Sequence, residues 1–340
     1  MDDLFLKAGR NIVETCSRLM PTETATIITD KETLKIGELV KLLADKITEK
    51  VNFHIIEDYS ERPITFVPNR MKKDVEGSDV TYFVATGKAG ELPKFRGPLT
   101  NLAVTHGREI HMVNIDETLM RTGMQADYYK IASLTFLIMG IAVKSKSARV
   151  TTPKGTNLNV TFSDKLSWVP NTGLIWHKGM WGNLPAGETF TCPENIEGTM
   201  VVDGTLGDHF CAKYSSLDET PVSIPIEKSR AVVNKIKCEN QELLNEFKHY
   251  LQQDKNSSRV GEFACGTNFS LKELVYNLLQ DEKFPGVHIA FGSPFSHETG
   301  ADWDAKSHVD GVKKKCSLWF DDTIILEDGK FKEKELLTFN

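Results

Sequence analysis

Residue types that bind metal ions gather in the C-terminal half of the chain. Ser307-His308-Val309-Asp310 places an imidazole and a carboxylate two positions apart, and in a β-strand that spacing sends both side chains to one face. Gly286-Val287-His288-Ile289-Ala290-Phe291-Gly292 sets a second histidine in an apolar, glycine-bounded strand. Glu262, in Arg259-Val260-Gly261-Glu262-Phe263-Ala264, is a carboxylate among apolar neighbours, and Glu188 follows the loop Asn183-Leu184-Pro185-Ala186-Gly187. A buried carboxylate is costly to keep charged without a cation, so this pattern points to metal chemistry. Taken one at a time, the same residues also read as a satisfied core histidine, a surface-turn glutamate or a structural ion network.

The elements that position these residues fall into two textures. Up to about residue 145 helix-like and strand-like stretches alternate, which is α/β logic. Leu4, Ala8, Ile12 and Cys16 share a helical face that Pro21 ends, and Ala25 to Thr29 reads as a strand rich in β-branched residues. Ile36, Leu39, Val40, Leu43 and Ile47 repeat at helical spacing, and strands are expected at 51–56, 80–85 and 110–115. The expected fold is therefore an N-terminal α/β domain (1–145), a mostly parallel sheet flanked by helices, followed by a mixed α+β metal-binding domain (146–340). The second domain opens with a hairpin around Pro153-Lys154-Gly155-Thr156. Trp168 to Glu188 reads as an irregular loop, and helices are expected at 241–253 and 271–279.

Composition narrows the classes. The chain has 340 residues, 40% hydrophobic and 26% charged, which fits a folded globular protein. A net charge of −6 and the absence of a basic stretch argue against nucleic acid as a partner. Ile131 to Val143 is too short a run for a spanning helix, and the N-terminus lacks the pattern of a signal peptide, so a cytoplasmic protein without a membrane partner is expected. The six cysteines show no Cys-x-x-Cys spacing and read as reduced thiols. Neither Gly-x-Gly-x-x-Gly nor Gly-x-x-x-x-Gly-Lys-Ser/Thr is present, which argues against a nucleotide site.

The stretches 183–191, 259–264, 287–292 and 307–310 occur in the order and character of the thermophilic metalloaminopeptidase family, the aminopeptidase T and S group, and residues 149–158 and 195–204 resemble its intervening strands. The resemblance covers about residue 147 to the C-terminus. It implies a pair of divalent ions (zinc, cobalt or manganese) held by Glu188, Glu262, His288, His308 and Asp310, with Glu262 and Asp310 as bridging candidates. It also implies a homodimer that hydrolyses peptides with a free N-terminus through a metal-activated water, Glu188 and Glu262 serving catalysis.

One position departs from that family. Its tyrosine, seven residues after the histidine that matches His288, is Phe295 here, which cannot donate a hydrogen bond to an oxyanion, so either the activity is weak, Ser296 or His297 substitutes as donor, or the reaction is different. Ser307-His308-Val309-Asp310 with 316–322 also resembles the C-terminal strands of the related 2,5-dihydroxypyridine dioxygenases, which implies an alternative, a single ferrous ion held by two histidines and an aspartate. Those enzymes lack a glutamate at the place of Glu188, so the peptidase is the first expectation. A catalytically silent relative on the same fold is a third.

Overall fold

The computed structural model describes residues 2–332. In chain order its strands are β1 (Ala25–Thr29), β2 (Val51–Ile55), β3 (Val80–Val84), β4 (Arg108–His111), β5 (Ser147–Thr151), β6 (Asn157–Thr161), β7 (Val169–Asn171), β8 (Trp181–Asn183) and β9 (Glu188–Thr191). They continue with β10 (Asn195–Val202), β11 (Val222–Glu227), β12 (Arg230–Ala231), β13 (Val260–Gly266), β14 (Gly286–Gly292), β15 (His308–Val312), β16 (Ser317–Phe320), β17 (Thr323–Glu327) and β18 (Lys330–Phe331). The chain forms two compact units: one comprises the described residues up to Ala132 plus Asn171–Ala186, the other Ser133–Pro170 and the chain from Gly187 onward.

The first unit is a parallel sheet of order β2-β1-β3-β4-β8 flanked by helices. Every residue of β1 and β3 is buried, as expected for strands covered on both faces. The helix Leu34–Ala44 turns Ile36, Leu39, Val40 and Leu43 inward at helical spacing. The α/β expectation thus holds, with two local differences. The fourth strand lies at 108–111 rather than 110–115, and part of the stretch taken as irregular, Trp181–Asn183, pairs with β4 and extends the sheet.

The second unit carries two antiparallel sheets. Eight strands run in the order β12-β11-β10-β6-β5-β16-β17-β18, with β5 and β6 forming the hairpin expected at 148–162. Five strands run in the order β15-β14-β13-β9-β7. One face of this second sheet sends Phe263, Cys265, Val287, Ile289, Phe291 and Val309 into the core. The helix expected at 271–279 is confined to Leu278–Asp281. The buried Asp281 carboxylate accepts the backbone N–H groups of Val275 and Tyr276 and the Thr205 hydroxyl, and Tyr276 takes a left-handed backbone (φ 58°), so tertiary hydrogen bonds hold the segment out of helical geometry. No single helix among the described residues is long and apolar enough to cross a membrane. All six cysteines are free thiols.

Candidate metal centre

Strand register brings the five candidate ligands onto one surface. Ala264 lies opposite His288, Glu262 opposite Ala290, Ala290 opposite Asp310, Gly292 opposite His308, and Gly266 opposite Glu188. Side chains alternate along each strand, so Glu188, Glu262, His288, His308 and Asp310 all project from the face opposite the core. Ala264, Ala290, Gly266 and Gly292 share this face with them, as do Phe190, opposite Ala264, and Val312, opposite His288. A β-bulge between Val260 and Glu262 re-aims the glutamate. The bulge needs glycine at 261, where a Cβ would lie 2.2 Å from the Gly292 carbonyl oxygen.

Glu262 spans the group. One of its oxygens is 3.4 Å from His288 Nε2 and the other 3.4 Å from His308 Nε2. Asp310 Oδ2 is 3.4 Å from His308 Nε2 and its Oδ1 is 4.0 Å from His288 Nε2, while Glu188 Oε2 is 3.4 Å from His288 Nε2. These separations exceed those of good hydrogen bonds. They suit ligands that share an ion: donors about 2.1 Å from a tetrahedral centre lie about 3.4 Å apart. Glu188, Glu262 and His288 each offer an atom within 4.8 Å of the others, as do Glu262, His308 and Asp310. By donor chemistry and spacing the residues fit a divalent metal.

The surroundings hold the donors in place. His308 Nδ1 is 2.9 Å from the Ser293 carbonyl oxygen, the arrangement in which Nδ1–H donates and the Nε2 lone pair faces the carboxylates. The Tyr250 hydroxyl donates to the His308 carbonyl at 3.1 Å. Phe295 packs its ring 4.7 Å from that of His308 and 5.6 Å from Phe190, in a left-handed backbone conformation (φ 50°, ψ 58°) rarely adopted without glycine. The residue that departs from the peptidase pattern therefore lies against a candidate ligand. His297 is exposed.

Electrostatics show how strongly the pocket calls for positive charge. Glu188, Glu262, His288 and Asp310 are each at most 4% exposed. Burial opposes charging of His308, yet the Asp310 and Glu262 carboxylates outweigh it and push the imidazole up to about 10. Burial likewise opposes ionisation of Asp310, but His308, His288 and Lys283 pull it down to about 2. His288 is raised in the same way: burial opposes its charge and Glu262, Glu188 and Asp310 overcome that opposition. A bound metal displaces these protons and answers the same field.

Sequence reasoning missed one member of the cluster. Lys283, 1% exposed, places its ammonium in a short ion pair with Glu188 Oε1 and 2.7 Å from Glu282 Oε1. Asp281-Glu282-Lys283 reads as a solvated charge run between a helix and a strand. Only the tertiary fold, with Asn268 N–H donating to the Lys283 carbonyl at 3.0 Å, turns it inward.

A sheet with imidazoles and carboxylates on one face and core residues on the other defines a class of α/β proteins built around a candidate metal centre. Comparison with known proteins places the chain within it. Residues 112–333 match the family model described as NicX, 2,5-dihydroxypyridine 5,6-dioxygenase, and the chain belongs to that family. The structure of 2,5-dihydroxypyridine dioxygenase from Pseudomonas putida KT2440 is similar with a TM-score of 0.72 at 15% identity, covering 96% of each chain. Wild-type AmpT from Thermus thermophilus is similar with a TM-score of 0.65 at 15% identity, covering 96% of this chain and 98% of that one. At such identities both likenesses show the shared fold. No curated protein sequence matches the chain.

These findings correct the expected activity. The aminopeptidase reading, with its hydrolase and protease chemistry, gives way to the dioxygenase family, which was the alternative. The physical reason is that the four motif stretches spell strands of a fold that both groups share. They identify the scaffold and leave the reaction undetermined.

Proposed function

We propose that the chain is a mononuclear ferrous dioxygenase that opens a dihydroxylated pyridine ring, with His288, His308 and Asp310 as the protein ligands of the ion. The observation that carries this reading is Asp310 on β15, with one oxygen 3.4 Å from His308 Nε2 and the other 4.0 Å from His288 Nε2 on the neighbouring strand β14, in a chain of the dioxygenase family. Two histidines and one carboxylate form the donor set of non-haem iron oxygenases and leave coordination positions open. When bound, ferrous iron supplies the one-electron chemistry by which dioxygen reacts with an electron-rich ring.

The chain's own residues do the rest. Ser293 fixes the His308 tautomer through its carbonyl. Phe295 and Phe190 make an apolar flank beside His308 against which a flat ring can lie and which keeps water away. Glu262, with an oxygen toward each imidazole, is the carboxylate placed to accept a proton from a ring hydroxyl. Glu188 is held by Lys283.

The test is anaerobic reconstitution of the purified protein with ferrous iron, followed by oxygen uptake on 2,5-dihydroxypyridine. Stoichiometric consumption of oxygen and ring, with loss of the ring's ultraviolet absorption, is expected. Iron-loaded protein that consumes neither sinks the reading.

A further inference from the structure

The pocket has donors enough for two ions, yet one of the two candidate triads already holds a cation. Among the described residues no lysine forms an ion pair with His308 or Asp310, whereas in Glu188, Glu262 and His288 the Glu188 carboxylate is paired with the Lys283 ammonium. Lys283 is fully buried, its backbone is pinned by hydrogen bonds to Gln280 and from Asn268, and its ammonium faces two carboxylates, Glu188 and Glu282. A side chain so enclosed has no route to solvent that would clear the Glu188 oxygen for a metal.

We infer that the Lys283 ammonium occupies the place of a second metal ion and so restricts this centre to one. The charges agree. The Lys283 ammonium already supplies at Glu188 the positive charge that a second metal ion would bring. Glu282, 2.7 Å from the same ammonium, is a second carboxylate beside it, and burial pushes its carboxyl up. A lysine is a compact point charge on a flexible stem, able to reach an ion position from a neighbouring loop. This inference rests on the proposal above that His308 and Asp310 hold the single ion, but not on the oxygen chemistry.

The experiment counts ions. Metal-free wild-type protein titrated with zinc should bind one equivalent, and Lys283→Met, which keeps the volume and removes the charge, should bind two. Adding Glu188→Gln to that variant should return the count to one. A Lys283→Met protein that folds and still binds one ion overturns the inference. Should that variant fail to fold, the wild type alone decides: with excess manganese its electron paramagnetic resonance spectrum should stay that of an isolated ion, and a spin-coupled pair overturns the inference. Wild-type protein that binds no zinc or manganese overturns the ligand assignment and this inference with it, whereas a single bound ion without oxygen uptake removes only the dioxygenase reading.

Discussion

Glu262 differs from the other carboxylates in having an imidazole nitrogen 3.4 Å from each oxygen. In the proposed site Asp310 holds the ion while Glu188 pairs with Lys283, which leaves Glu262 for proton transfer. Glu262→Gln should retain bound iron while kcat falls by about 10² to 10⁴, the range for loss of a general base; metal analysis beside oxygen uptake checks both halves. Asp310→Asn should instead purify with far less iron. The five candidate ligands were named from the sequence through the family resemblance; locally, Glu262 and His288 stand out among apolar neighbours, whereas Glu188 follows a loop. Lys283 could not be picked out, because its neighbours Asp281 and Glu282 disguise it as surface, and nothing local shows that Asn268 and Gln280 turn it inward.

At the scale of elements, the site depends on glycines that let strands approach. Gly292 has φ 108°, and a Cβ there would lie 2.0 Å from the Ser307 carbonyl oxygen, immediately before His308. Gly292→Ala should cost about 1–3 kcal/mol from backbone strain alone. It should also displace His308, so both the urea midpoint and the metal affinity should drop. Strands β1 and β2 and the hairpin of β5 and β6 were legible from β-branched content and turn residues. The helix expected at 271–279 was not absent from the pattern. Its apolar periodicity is real, but Asp281 captures the Val275 and Tyr276 N–H groups and wins over local propensity. Trp181–Asn183 was unreadable because a three-residue edge strand takes its conformation from the partner it joins.

At the scale of the molecule, the first unit contributes stability through its own buried ion network. Asp30 accepts hydrogen bonds from Thr33 and Thr86 and pairs with Arg62, which also pairs with Glu91. Burial opposes ionisation of Asp30, but the Thr86 and Thr33 hydrogen bonds hold its carboxyl below the ordinary value. A depressed folded value means the contribution is present above the unfolded value of about 3.9 and is lost as pH falls through the folded one. Asp30→Asn should therefore be about 3–5 kcal/mol less stable at pH 7, the cost of breaking a buried pair. The gap to wild type should narrow below about pH 4, a trend that denaturant titrations at several pH values would reveal. The α/β class was legible from alternation along the chain, while the reaction was not, since one fold carries both kinds of protein. The second unit adds a different constraint. Candidate ligands and core side chains alternate residue by residue along β13, β14 and β15, so Glu262, His288 and Asp310 are each followed or preceded by Phe263, Ile289 or Val309. Chemistry and core thus share a single reading frame: one residue inserted or deleted within any of these strands would bury a ligand and expose a core side chain together, so changes in chain length are tolerable only in the loops between them.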